Sequence, residues 1–300
     1  MRTKHMALLL LVTLIGGTNF LAVKFTVTEI PPVFASALRF LISGVILIPF
    51  LKIQPGRMRQ LIFTALNIGV LNFALVYIGF ARAGDVSTVA IVSQAAVPFS
   101  MILAVVLLKE KVGFWRITAT ITSLAGIVLL GFDPRVFEYI DAVLLILAGV
   151  AAFSFGTIQM RRLGNVPPLV FMAWLSLLAS TTQFLLSFFM ESGQIALTLG
   201  ASRQALGALV YTGVISTVFA HAAFYYVLQR NPVSRVMPFT VLAPLFGVIL
   251  SILVLGEVMS ARVVAGGLLT FAGVMVITFR NRQEINKLGQ SARADGNGTG

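Results

Sequence analysis

The sequence has no cysteine, which excludes disulfides, zinc–thiolate sites and thiol nucleophiles together. Charge is scarce as well. Only 11% of the 300 residues are charged, against roughly a quarter in a soluble domain. Acid is scarcer than base, with 10 Asp and Glu against 22 Lys and Arg. All ten acids (Glu29, Asp85, Glu110, Asp133, Glu138, Asp141, Glu191, Glu257, Glu284 and Asp295) fall in breaks between apolar runs, at their edges or in the tail. No carboxylate stands deep in an apolar run, where a carrier of organic cations would want one. The two histidines, His5 and His221, lie far apart in the chain. A membrane-embedded enzyme would need buried carboxylates, a metal cluster or a nucleophile–base pair. The residue types for these are missing, so no catalytic residue, metal or cofactor is expected. Long polar stretches are missing too. The longest internal one, 191–205, leaves no room for a soluble domain.

What is present is apolar. Hydrophobic residues make up 58% of the chain, more than a water-soluble fold of this size can cover, so the expected solvent is a lipid bilayer. A span needs roughly 20 apolar residues. Ten runs qualify: 7–27, 34–51, 61–81, 87–108, 115–132, 140–160, 169–190, 206–229, 234–255 and 262–279. The breaks carry turn chemistry, including Pro31-Pro32, Pro55-Gly56, Asp133-Pro134, Pro167-Pro168 and Asn231-Pro232. The first run follows a basic N-terminus as in a signal peptide. It is too long for a signal h-region and lacks a small-residue cleavage site, so it reads as a retained helix. The tail 280–300 ends in Asp-Gly-Asn-Gly-Thr-Gly and is expected to be disordered.

The net charge of +12 suggests nucleic acid until the charges are placed. With the N-terminus in the cytoplasm, alternate breaks on that side hold 16 Lys and Arg, and the opposite breaks hold only Arg82, Arg135, Arg203 and Arg262. Such a bias over short loops is the positive-inside signal. It puts both termini in the cytoplasm of a multi-pass protein and implies no nucleic-acid partner.

The chain also writes one stretch twice. Sliding it by 147 positions (234 − 87) aligns Val86 with Val233, Ser87 with Ser234, Phe99 with Phe246, Glu110 with Glu257 and Gly126 with Gly273. The small-residue ridge Ala96/Ser100/Ala104 is echoed by Ala243/Gly247/Ser251. Each copy holds five runs, an odd number, so the copies are expected upside down relative to one another. The expected fold is therefore all-α and integral to the membrane. Ten transmembrane helices would form two inverted five-helix repeats, 7–132 and 140–279. Inverted repeats exchange conformations about a site near mid-membrane.

These features resemble the drug/metabolite transporter superfamily, in its EamA-like branch of ten-helix carriers. The resemblance rests on Gly17-Thr18-Asn19-Phe20 with Lys24, on Arg39-Phe40, and on Pro98…Glu110 and Pro244…Glu257, each followed by a Gly-bearing helix (Gly126, Gly273). It spans about residues 6–280. The Pro-to-Glu spacing differs between the halves, 12 against 13. The resemblance implies secondary transport, often export, of small metabolites such as amino acids, and a location in the bacterial inner membrane. It names neither substrate, coupling ion nor oligomeric state.

The candidate substrate-binding residues are Asn19, Lys24, Arg39, Tyr77, Gln94, His221 and Tyr225. Lys24 reads either as a counter-charge for an anionic substrate or as a cation snorkelling to the outer interface. Arg39 offers a fork that can hold a carboxylate, with snorkelling the alternative. His221 is the one side chain within a run whose unperturbed pKa lies near neutrality. It could supply proton coupling, or it could be a packing residue. Tyr225 shares its face one turn on, and Tyr77 could face both. Asn19, Asn67, Asn72, Ser93 and Gln94 could bind substrate or hold helices together. Pro98 and Pro244 could free cavity-lining carbonyls or be tolerated kinks. Glu110 and Glu257 fall in loops and read as helix-end or interface residues. Because the buried charge is basic, the expected substrate bears a carboxylate or another anionic group. A channel or a structural membrane subunit is the competing reading.

Overall fold

The computed structural model describes residues 3–108, 113–163, 166–230 and 242–276, without the side chains of 104, 116, 161, 162, 225 and 228–230. The described chain is helical, with no strand among its residues. The apolar helices in order are α1 (Thr3–Glu29), α2 (Pro32–Leu47, extended by a 3-10 turn to Phe50), α3 (Met58–Arg82), α4 (Val86–Leu107), α5 (Phe114–Gly131), α6 (Ile140–Leu163), α7 (Pro168–Met190), α8 (Arg203–Tyr211, Thr212–Ala220 and His221–Arg230 in succession), α9 (Leu242–Leu255) and α10 (Ala261–Val276). Seven of them, α1–α4 and α6–α8, are long and apolar enough to cross a membrane, whereas α5, α9 and α10 hold shorter apolar stretches. Each falls on one of the apolar runs in the sequence.

The ends follow local chemistry. Pro32 and Pro168 occupy first-turn positions, where a missing N–H costs nothing. Asp85 caps α4 by accepting from the Thr88 N–H at 2.5 Å, and Ser202 caps α8 through the Ala205 N–H at 3.1 Å. The break 191–205 is not wholly irregular. It contains a short helix, Gln194–Gly200, that starts on Gly193 in the left-handed region at φ 71°. The Gln194 amide donates to the carbonyls of Ser187 and Glu191, and Ile195 and Leu199 are exposed. A second short helix, Pro134–Phe137, follows the Asp133 cap.

Three helices are interrupted. The helix of α4 breaks at Gln94-Ala95, four residues before Pro98, whose ring collides with the carbonyl at that distance. In α3 the segment Asn67–Asn72 is π-helical, and in α8 the segment Thr212–Ala220 is too. Such wide turns free carbonyls for side chains.

Contacts come in matched pairs. α1 packs on α8 as α6 packs on α3, α1 packs on α9 as α6 packs on α4, and α2 packs on α8 as α7 packs on α3. α2 and α7 pack on each other. Advancing each helix number by five turns each of these contacts into its partner. The α5–α10 contact shows this at atomic scale. A Cβ built on Gly126 would lie 2.5 Å from the Gly266 carbonyl and 2.6 Å from the Thr270 nitrogen. One built on Gly273 would lie 2.6 Å from the Ala119 carbonyl and 2.6 Å from the Ser123 nitrogen. Residues 119, 123 and 126 become 266, 270 and 273 under the same slide of 147.

One end of the bundle is where odd-numbered helices finish and even-numbered ones begin. There Glu29 meets Ser202, Glu191 meets Val33 and Phe34, Arg82 meets Asp141, Asp133 meets Ser260, and Glu257 meets Val86 and Ser87. α1 therefore runs toward this end and α6 away from it. Large apolar side chains such as Phe63, Leu185, Phe188, Leu253 and Leu268 are exposed on the outside, an arrangement suited to lipid rather than to water.

Candidate functional site

Among the described residues Arg39 is the largest fully buried side chain, at 2% exposure. It sits seven residues into α2, about 10 Å from that helix's first residue at 1.5 Å per residue. Its Nε donates to Thr217 Oγ1 at 2.7 Å, one terminal nitrogen to the Tyr77 hydroxyl at 3.1 Å and the other to Ser216 Oγ at 3.4 Å. The guanidinium lies 4.9 Å from the centroid of the Phe73 ring, within cation–π range. Ser216 and Thr217 are on the π segment of α8. Thr217 Oγ1 donates to the Thr212 carbonyl five residues back, at 2.8 Å, and His221 Nδ1 lies 2.7 Å from the Ser216 carbonyl, also five back. The widened turn presents these hydroxyls to α2.

Every direct partner of Arg39 is uncharged. The one ion pair among the described residues joins Arg82 to Asp141. Arg39 is thus a buried guanidinium with no carboxylate partner among the described residues. Guanidinium forks match carboxylates in two-point geometry, so an anionic group entering here would find its counter-charge in place.

The structure brings Arg39, Tyr77 and His221 into one network. Tyr225 lies in α8, but its side chain is outside the described residues. Lys24 stands apart. Its Nζ donates to the Ala83 carbonyl at 2.7 Å and to the Phe80 carbonyl at 3.4 Å, satisfying acceptors at the end of α3 that have no helical donor. Asn19 Oδ1 and Gln94 Nε2 are buried polar atoms without a partner among the described residues. Both are available to a ligand, since a buried polar atom left unmade is costly. Asn67 instead bonds the Ala152 carbonyl at 2.9 Å and Gln159 at 3.1 Å, which ties α3 to α6. Of the loop acids, Glu257 takes its place at a helix end, while Glu110 lies outside the described residues.

Two features escaped the sequence. One is the hydroxyl pair Ser216 and Thr217. The other is Gln183, fully buried on α7, which donates to the Gly69 carbonyl in the π segment of α3 at 2.5 Å. Gln183 is to α3 what Arg39 is to α8, a polar side chain from the paired helix reaching a π segment. Its signal was readable, as it is the only amide side chain within α7.

At the tied end of the bundle an open cavity of about 590 Å³ is lined by Asp85, Asp133, Tyr139, Glu257 and Ser260 among others. Asp85, Asp133 and Glu257 are engaged there by hydrogen bonds. Asp133 accepts from the Ser260 hydroxyl, which holds its carboxyl below the ordinary range, helped by the Arg135 N–H. Burial, together with a hydrogen bond to Asp85, pushes the Tyr139 phenol above its usual value.

Comparison with known proteins decides the family. A match to the EamA-like transporter family covers residues 3–132 and again 141–279. The chain belongs to the EamA-like transporter family. Among its relatives is an uncharacterized transporter of Archaeoglobus fulgidus, 23% identical, the match covering 91% of this chain and 98% of that one. A probable amino-acid metabolite efflux pump of Salmonella typhimurium is 24% identical over 93% and 96% of the two chains. The protein of that description from Escherichia coli is 22% identical over 93% and 96%. A solved crystal structure superposes with a TM-score of 0.66 at 20% identity, covering 94% of this chain and 99% of its own. This EamA-like transporter is therefore a multi-pass membrane protein with a transport role.

Proposed function

We propose that this EamA-like transporter is an alternating-access carrier that exports a small carboxylate-bearing metabolite, such as an amino acid, across a bacterial inner membrane. It has ten spans arranged as two inverted five-helix repeats, 7–132 and 140–279, with both termini and the tail 280–300 cytoplasmic. Three observations support the inversion: the matched helix contacts, the reciprocal glycines Gly126 and Gly273, and the opposite course of α1 and α6. Relatives described as probable amino-acid metabolite efflux pumps favour export.

The single observation behind the substrate class is Arg39, a buried cation held by hydroxyls and an aromatic face instead of by a carboxylate. A guanidinium placed this way repels organic cations and attracts a carboxylate. Asn19 and Gln94 supply unpartnered polar atoms for the rest of the solute, and His221 is the group through which a proton could be coupled. Counterflow of a panel of amino acids, carboxylates and organic cations into vesicles holding the purified protein tests this, with and without a pH gradient. Trans-stimulated uptake of carboxylate-bearing solutes is expected. Uptake confined to organic cations, or uptake without trans-stimulation, overturns it.

A further inference from the structure

The bundle end where odd-numbered helices finish is tied by carboxylates in an unusual way. Glu191, at the end of α7, accepts from the N–H groups of Val33 and Phe34 at 2.8 and 3.0 Å. Glu257, just after α9, accepts from Val86 and Ser87 at 2.6 and 3.0 Å, and from the Ser87 hydroxyl at 2.5 Å. Glu29, at the end of α1, accepts from the N–H and hydroxyl of Ser202, each at 2.6 Å. Asp133 holds the hydroxyl of Ser260, which caps α10 through the Val263 N–H. Arg82 pairs with Asp141 at 2.9 Å. Helix starts leave N–H groups without partners, and the positive end of the dipole favours an anion there. Glu29, Glu191 and Glu257 bring that anion from another helix, whereas Asp141 stands in the first turn of α6 and takes its cation from α3.

What matters is where those helices lie. Each of the five ties joins a residue at or before Asp133 to one at or after Asp141. All of them therefore cross between the chain's first and second halves. Ordinary capping would be satisfied within a loop, as Asp85 does for α4. Beneath the Glu257 tie, Ser87 and Ser251 join hydroxyl to hydroxyl at 2.7 Å, both buried. This adds a second layer between α4 and α9. The bonds are polar and charge-assisted, so water can replace them when the halves part, unlike interlocked apolar side chains.

We infer that Glu29, Asp133, Glu191 and Glu257 are the outer gate of the carrier, closed in this structure and opened by loss of their cross-half bonds in every cycle. The inference rests on the alternating-access reading. Glu257 and Ser87 are positioning residues for the opening step and do not touch solute.

The absence of cysteine makes the test direct. In S87C/S251C, oxidation with membrane-permeant iodine should close a disulfide across the halves, scored as loss of free thiols in the denatured protein. Counterflow should fall to background on oxidation and return with reductant. Full cross-linking with unchanged counterflow overturns the gate, because the contact would then be static. Absence of trans-stimulation in the cysteine-free parent would instead overturn the carrier reading. A second measurement covers poor folding of the double variant. In vesicles of known orientation, an impermeant methanethiosulfonate should label S87C/E257Q from outside about tenfold faster than S87C alone. Equal rates overturn the role of Glu257.

Discussion

Replacing Arg39 by methionine tests its structural and its functional role in separate assays. A cation within a transmembrane segment costs about 2.5–3.5 kcal/mol on insertion scales. Against this, Arg39 has three hydrogen bonds from a charged donor to hydroxyl groups, worth about 1.5–3 kcal/mol each. It also has the Phe73 ring, worth about 2 kcal/mol when desolvated. These contacts outweigh the insertion cost by about 3–8.5 kcal/mol, of which burial of the methionine returns about 1.5–3 kcal/mol, so R39M should lower stability by several kcal/mol. Function should respond through a different contact. Losing a buried charge–carboxylate contact costs about 2–5 kcal/mol, a fall in affinity of roughly 30- to 5,000-fold. Chemical unfolding in detergent gives the first quantity, and calorimetric titration with an amino acid selected by counterflow gives the second. R39K should recover little, because an ammonium lacks the fork. The reasoning fails if R39M leaves stability unchanged, or if carboxylate affinity changes less than threefold.

Gly126→Ala would push a methyl to 2.5 Å from the Gly266 carbonyl. Overpacking of this kind costs about 1–3 kcal/mol, and Gly273→Ala should cost a similar amount in the same unfolding assay because its contact is the reciprocal one. Ser260→Ala should raise the Asp133 carboxyl back toward the ordinary carboxylate range, because the Ser260 hydroxyl is the main cause of its lowering. The lowered folded value means that Asp133 stabilises the fold above its unfolded pKa and loses that contribution as pH falls through the folded one. S260A should therefore lose stability at pH 7 and show a smaller further loss on acidification, measured by thermal unfolding across pH. Gln183→Leu removes the only described donor to the Gly69 carbonyl from α7 and should lower stability without changing substrate selectivity in counterflow.

The helices were legible because lipid demands long apolar runs, and each run in the sequence holds an apolar helix. The 147-residue slide also carried real geometry, since it maps the Gly126 contact onto that of Gly273. What the sequence did not reveal is where backbone regularity fails. Nothing in Asn67–Asn72 or Thr212–Ala220 marks a π turn, because such turns arise from packing between helices and not from local propensity. For the same reason Ser216 and Thr217 looked like ordinary membrane hydroxyls until α8 was placed against α2. Lys24 and Arg39 were indistinguishable as lone cations in apolar runs. Only tertiary contacts separate them, giving Lys24 the carbonyl end of α3 and Arg39 a buried cage of hydroxyls. Glu257 read correctly as a helix-end residue, but that the helix belongs to the other half depends on topology.

The account stands on two halves inserted in opposite senses, and labelling two loops tests this most directly. In V258C and K111C, introduced singly into the cysteine-free chain, an impermeant maleimide is applied to intact cells and then to lysed ones. V258C, at the exposed break after α9, should react from outside, and K111C, at the corresponding break of the first half, only after lysis. Reaction of both from the same side would contradict the inverted arrangement and the carrier built on it.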